Sequence, residues 1–219
     1  MKSIALIHTV KTVATTFDAQ LKAFLDEEVK MHNLWDDFLA NNPNEVGEFT
    51  IDNRNRLFND IKAAEMTGCD MIVVTCSTLT PVVNMIRPFV KCPLIAIDDA
   101  MGRKAVTYGS RILVLATAGS TEVPMRDKLN AEARALGKEV EIDFMANAEA
   151  FKAMKAVEMD KHDALLLDMA KDISGYDCIV LAQASMAHLD AKIQALCNIP
   201  TLSSPGLCME QIKATLKEI

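Results

Sequence analysis

In the stretch CDMIVVTCSTLTPVV, four apolar residues and a threonine lead into Cys76, which is followed at once by Ser77 and Thr78, with Pro81 just beyond. Short hydroxyl residues cap helix starts, and proline suits a first helical turn. Unpaired backbone N–H groups at such a start cradle a carboxylate or phosphate, and their partial positive charge is expected to lower a thiol pKa. Cys76 is therefore a candidate general acid/base or nucleophile, against the plain alternative of a buried thiol closing a strand. His8 ends the first apolar run, where it could hold or protonate a ligand or help to ionise Cys76. A hydrogen-bonded structural histidine is the plain alternative there. The segment ATAGSTEVP offers small hydroxyl residues for a second anion cradle or an ordinary N-cap, and Asp98 and Asp99 suit helix capping more than catalysis. His188 falls on the helix after the second loop and is given no role.

These residues need strand ends to hold them. Short Ile/Val/Leu-rich runs alternate with longer amphipathic segments, the pattern of a parallel sheet buried under helices on both faces. Strands are expected near 3–8, 47–51, 71–75, 93–97, 111–116, 139–144, 177–182 and 200–202. Helices are expected near 16–40, 54–67, 79–89, 99–108, 121–136, 148–156, 159–173, 186–196 and 206–217. The order repeats: KSIALIHT with SRILVLAT, GEFTID with VEIDF, GCDMIVVTC with GYDCIVLAQ, and CPLIAID with IPTLSS. Asp70 and Asp177, like Pro93 and Pro200, stand 107 residues apart, and Thr9 and Thr117 stand 108 apart. The chain thus reads as an α/β protein of two pseudo-symmetric, Rossmann-like half-domains, each a four-stranded parallel sheet flanked by helices. Ligands of such sheets bind beyond the carboxyl ends of the strands. Those ends carry His8, Thr9, Cys76, Ser77 and Thr78 in the first half and Thr117, Gln183, Ala184 and Ser185 in the second, expected to face one cleft.

Composition narrows the partners. A net charge of −7 argues against a nucleic-acid surface and leaves a small metabolite as the expected partner. No apolar run approaches a membrane span, and IALIHTV is too short for a signal-peptide core, so a cytoplasmic location is expected. Six scattered cysteines lack CxxC or Cys/His ligand spacing, which suggests neither a zinc site nor a disulfide framework. GCDMIVVTC is followed by no phosphate-binding glycine motif, so no nucleotide cofactor is expected.

With a duplicated α/β unit, a cysteine after the third strand of the first half and a matching loop in the second, the chain resembles the aspartate/glutamate/hydantoin racemase superfamily over essentially its full length. In that family Cys-Asn-Thr closes the first third strand and Gly-Cys-Thr the second; here the first motif stands as Cys76-Ser77-Thr78. The resemblance implies a cofactor-independent enzyme without a metal, a small carboxylate held between the two loops, and a homodimer or larger homo-oligomer. It also implies that the last helix returns to the first half, giving half-domains of 1–98 plus 206–219 and 99–205.

The departure lies in the second half, where register gives Gln183 in place of the second cysteine, or Ala184 after a one-residue slip. Two-base racemisation needs a proton-exchanging group on each face of the substrate, and an amide is none at neutral pH. It can still hydrogen-bond a carboxylate or developing enolate. The expected activity is therefore proton chemistry alpha to a carboxylate or carbonyl with Cys76 as single catalytic cysteine and His8, Thr9, Ser77, Thr78, Thr117, Gln183, Ala184 and Ser185 around the substrate. Decarboxylation of a malonate-like acid with Cys76 as proton donor is one alternative. The family's decarboxylase branch keeps its single cysteine in the second half, so this chain would be its mirror image. A non-catalytic carboxylate-binding protein is another alternative, and a racemase recruiting a different second base is a third.

Overall fold

The computed structural model describes residues 1–219. They form two compact units, residues 1–100 with 205–219, and residues 101–204. The first unit carries strands β1 (Ser3–His8), β2 (Lys30–Trp35), β3 (Met71–Val74) and β4 (Leu94–Ala96). Its helices are α1 (Lys11–Phe24), α2 (Phe38–Val46), α3 (Ile51–Glu65) and α4 (Thr80–Ile86). Helix α5 (Asp99–Tyr108) carries the chain into the second unit, with β5 (Arg111–Ala116), α6 (Glu122–Ala135), β6 (Glu141–Ala146), α7 (Ala148–Lys155) and α8 (Met159–Ala170). There follow β7 (Cys178–Leu181), α9 (Asp190–Cys197), β8 (Thr201–Leu202) and α10 (Ser204–Glu218). Helix α10 belongs almost wholly to the first unit, where Lys213 pairs with Asp26 at 2.7 Å and lies over the Phe24 ring.

Each unit holds one all-parallel sheet, ordered β2-β1-β3-β4 and β6-β5-β7-β8. Interior strands β3 and β7 read MIVV and CIVL without a polar break and are fully buried, as strands covered on both faces require. The repeat extends into the core. Ile72, Val74, Leu79, Val82 and Ile86 cluster in the first unit; Ile179, Leu181, Met186, Leu189 and Ile193, each 107 residues later, cluster in the second. Truncating any one of these to alanine is expected to cost about 2–5 kcal/mol.

Asp70 and Asp177 owe their spacing to a shared task. Asp70 Oδ2 accepts from the Ser3 N–H at 2.7 Å, and Asp177 Oδ2 accepts from the N–H groups of Ser110 and Arg111 at 2.8 and 2.9 Å. Each carboxylate thus satisfies donors where the first strand of its half begins.

The second strand corrects the sequence reading. The strand expected at 47–51 and the helix expected at 16–40 give way to α1, a strand at Lys30–Trp35, and α2. GEFTID is a helix entry: the Thr50 side chain accepts from the Asn53 N–H while Asn53 Oδ1 accepts from the Thr50 N–H, a reciprocal capping box that starts α3. Strand β2 lies at a sheet edge, partly exposed along its length, and KMHNLW lacks the apolar run that marks the interior strands.

Candidate active site

The carboxyl ends of β1 and β3 set the first loop. The Thr75 N–H bonds to the Ile7 carbonyl at 3.0 Å, after which Cys76 takes an extended backbone (φ −132°, ψ 117°) and leads a single 3-10 turn, Ser77–Leu79, into α4. Its carbonyl accepts from the Leu79 N–H at 3.1 Å, which closes that turn. The thiol is partly buried. Around it lie the Thr9 hydroxyl and the N–H and hydroxyl of Thr78, all of which favour its ionised form, and the Asp98 carboxylate, which opposes it. Thr9 Oγ1 is buried and makes no regular hydrogen bond.

Burial outweighs those donors and pushes the Cys76 pKa up. The expectation that a helix start would lower it is corrected: a 3-10 turn of three residues offers few aligned N–H groups, and desolvation of a thiolate dominates. Cys76 is therefore a protonated thiol at neutral pH, a proton donor before it is a base. Asp98, buried at the end of β4, is a neighbour that sequence reasoning assigned to capping; its Oδ1 accepts from Thr80 Oγ1 at 2.7 Å. The clue in the sequence was its place at a strand end beside β3. Asp99 is the structural member of the pair, accepting from the Ala96 N–H at 2.9 Å and from Arg87 Nη2 at 2.7 Å.

His8 is fully buried, and both ring nitrogens are engaged, Nδ1 with Thr75 Oγ1 at 2.8 Å and Nε2 with Asn33 Oδ1 at 3.1 Å. Asn33 Nδ2 in turn donates to Asp18 Oδ2 at 2.8 Å, which fixes the amide oxygen toward His8 and the proton on His8 Nε2. Burial lowers the His8 pKa, with Asn33 and Asp18 opposing in part, so the ring is neutral near pH 7. It anchors Thr75, the residue before Cys76.

The second unit repeats the loop with other side chains. The Ala182 N–H bonds to the Leu115 carbonyl at 2.9 Å, and Gln183 takes the same extended backbone (φ −128°, ψ 137°) before a 3-10 turn, Ala184–Leu189. The Gln183 carbonyl accepts from the Met186 N–H at 3.0 Å, the counterpart of the Leu79 bond. The position equivalent to Cys76 is thus Gln183 and not Ala184. Gln183 Oε1 accepts from the Thr117 N–H at 2.6 Å and from its hydroxyl at 3.1 Å. Gln183, Ala184 and Ser185 are partly exposed, whereas Ser77 and Thr117 are buried. In ATAGSTEVP, Thr121 turns its hydroxyl back to the Ala118 carbonyl at 2.8 Å and does not cap α6. His188, at the far end of its turn, is tied to Asp163 of α8 at 2.8 Å, and the same carboxylate meets the buried His162.

No group of three or more His, Cys, Asp or Glu side chains is placed to hold a metal ion. No helix is long and apolar enough to cross a membrane.

The family model described as Asp/Glu/Hydantoin racemase matches residues 8–212. A curated protein of Schizosaccharomyces pombe without assigned function is 23% identical over 167 residues, 74% of this chain and 70% of its own. Among solved structures, glutamate racemase isoform RacE1 from Bacillus anthracis is similar with a TM-score of 0.73 at 14% identity, over 99% of this chain and 82% of its own. The aspartate racemase of Picrophilus torridus gives 0.69 at 18% identity, over 98% and 94%. Allantoin racemase from Klebsiella pneumoniae gives 0.68 at 16% identity, over 100% and 89%. At these identities the structural likeness speaks for the fold.

Proposed function

The chain belongs to the Asp/Glu/hydantoin racemase family, and from that premise we propose that it is a cofactor-independent enzyme whose Cys76 exchanges a proton at the carbon alpha to a carboxylate or carbonyl of a small acid. The observation that carries this reading is the unlike filling of two equivalent positions: a thiol flanked by Thr9 and Thr78 in one half, an amide bound to Thr117 in the other. With its carbonyl oxygen committed to Thr117, Gln183 has its NH2 left to donate to a ligand, in keeping with a role in binding an acidic group. Ser77, Thr78, Ala184 and Ser185 supply further N–H and hydroxyl donors, Thr9 and Thr117 support the two key side chains, and His8 positions the Cys76 strand end.

The raised pKa of Cys76 favours one direction of chemistry. A malonate-like acid that loses carbon dioxide leaves an enediolate; the Cys76 S–H protonates its carbon, and the resulting thiolate regains a proton from solvent. Decarboxylation is thus a second reading supported by a specific feature, a neutral thiol in one half and an amide, not a second thiol, at the equivalent position of the other. Simple α-proton exchange on one face would use the same thiol, after a transient loss of its proton.

Single enantiomers of acidic amino acids and 2-substituted malonates, incubated with the enzyme in heavy water and followed by NMR, test this. Deuterium at the α-carbon or loss of a carboxylate, abolished in a folded Cys76→Ala variant, is the expected result. Turnover that survives the substitution would remove Cys76 from the chemistry, and tight binding of an acid without exchange or decarboxylation would favour the binding-protein alternative.

A further inference from the structure

Cys69 and Cys92 stand at the amino-terminal ends of β3 and β4, the end of the sheet away from Cys76. The register pairs Ile72 with Leu94, so two residues earlier Asp70 lies beside Cys92, with Cys69 the next residue along. Neighbouring strands are about 4.8 Å apart and rise about 3.3 Å per residue, which puts the two α-carbons about 6 Å from each other. That lies within the span of about 4.4–6.8 Å that a disulfide bridges. The side chains lie together: Cys92 packs against the core cluster that contains Cys69, each thiol is felt electrostatically by the other, and Cys69 Sγ donates to the Ala64 carbonyl at 3.5 Å.

Both residues line an open hollow of about 590 Å³, with Glu65, Met66, Asp70 and Lys91 on its walls. Cys69 is buried, while Cys92 is partly exposed. The pair therefore has one thiol a reagent can reach and one behind it. We infer that Cys69 and Cys92 are a dithiol that a low-molecular-weight disulfide converts to an intrachain disulfide. Cys92 as thiolate attacks one sulfur of the reagent, forming a mixed disulfide and releasing one thiolate. Cys69 as thiolate then attacks Cys92 Sγ, closing the Cys69–Cys92 bond and releasing the second thiolate; the protein thiols lose two electrons, and the reagent is reduced to two thiols. The product closes residues 70–91, the segment that carries Cys76, into a ring.

The surroundings set the rate. Burial, the neighbouring Cys69 and the Glu65 carboxylate hold the Cys92 pKa up at about 11. Glu65 is paired with Lys62 and accepts from the Lys91 N–H, Asp70 accepts from Ser3, and Lys91 and Ile219 also line the hollow. Because the thiolate is the attacking form, oxidation is expected to be slow at pH 7 and to accelerate about tenfold per pH unit toward pH 9.

Glutathione disulfide added to the full chain is the test. Combined cleavage after Lys and before Asp places Cys69, Cys76 and Cys92 in separate peptides, 63–69, 70–91 and 92–97. The expected product is the 63–69 peptide linked to 92–97 with a loss of about 2 Da, reversed by a phosphine reductant and absent in Cys92→Ser. Cys69 and Cys92 persisting as free thiols at pH 9, each carrying its own glutathione, or linked to other cysteines, would overturn the inference. The outcomes that would overturn it are read from the unmodified sequence by mass, so neither a poorly folded variant nor a lack of catalytic activity affects them.

Discussion

Thr117 gives both its backbone N–H and its hydroxyl to Gln183 Oε1, at 2.6 and 3.1 Å, in the place where Thr9 meets the Cys76 thiol in the other half. The duplicated backbone has kept the threonine and the extended residue after the third strand, while the side chain at that residue has changed from a thiol to an amide. An amide bound through its oxygen neither gives nor takes a proton near neutrality, so the two halves are chemically unequal.

Replacing that amide by a thiol should make them equal. Gln183→Cys would set a sulfur beside the Thr117 hydroxyl as Cys76 stands beside Thr9. If Cys76 works alone from one face, the parent enzyme delivers one enantiomer of an exchanged or decarboxylated product, and Gln183→Cys lowers that enantiomeric excess. Chiral chromatography of the product reads it. An unchanged excess in a variant whose introduced thiol reacts with iodoacetamide would show that the amide is not what makes the chemistry one-sided.

Thr9→Val keeps the shape and removes the hydroxyl beside the sulfur. A contact of this kind contributes about 1 kcal/mol, so the Cys76 pKa should rise and its alkylation by iodoacetamide at pH 8 should slow about fivefold. Peptide mapping separates Cys76 from the five other cysteines. Equal alkylation in parent and variant would mean that Thr9 does not support the thiol.

Much of this could be read from the residues alone, for reasons the structure makes plain. The interior strands announce themselves because IALIH, MIVV, ILVLA and CIVL are buried on both faces and carry no polar residue before their ends. Asp70 and Asp177 gave the register away because each caps the same strand start. Strand β2 was hidden because an edge position tolerates Lys30, His32 and Asn33, which read equally well as helix surface, while Phe49 and Ile51 imitated a strand around a capping box. The acidity of Cys76 is not legible because a helix start is a local pattern, whereas the burial that overrides it, and the Asp98 carboxylate that adds to it, depend on parts of the chain distant in sequence.

Gly109 shows how tightly the repeated aspartate is fitted. A Cβ there would collide with Asp177 Oδ2, the atom that accepts from Ser110 and Arg111. Gly109→Ala should displace the carboxylate, strand those donors and cost about 2–4 kcal/mol. Gly119→Ala, with no atom within 4 Å of its added Cβ, should change stability by less than about 1 kcal/mol. Urea melts of the two variants provide the comparison, and equal midpoints would contradict the fit.

Asp60 gives the molecule a pH-dependent liability near neutrality. Burial and the adjacent Asp36 carboxylate raise its pKa to about 7, against the pull of Arg56, which is itself paired with Asp36. In the unfolded chain the group ionises at its ordinary value of 3.8, so the stability this shift confers is full below that pH and is lost as pH rises through about 7. Asp60→Asn abolishes the titration while keeping the shape. Asp60 is partly exposed, and after discounting for solvent screening the gain at pH 8 relative to pH 5 should be about 1–2 kcal/mol, a rise of a few degrees in Tm. Thermal melts of both proteins at the two pH values decide it: if the Tm difference between variant and parent is the same at pH 5 and pH 8, Asp60 is already ionised in the folded state at the lower pH, and the Asp36 carboxylate does not hold its proton on.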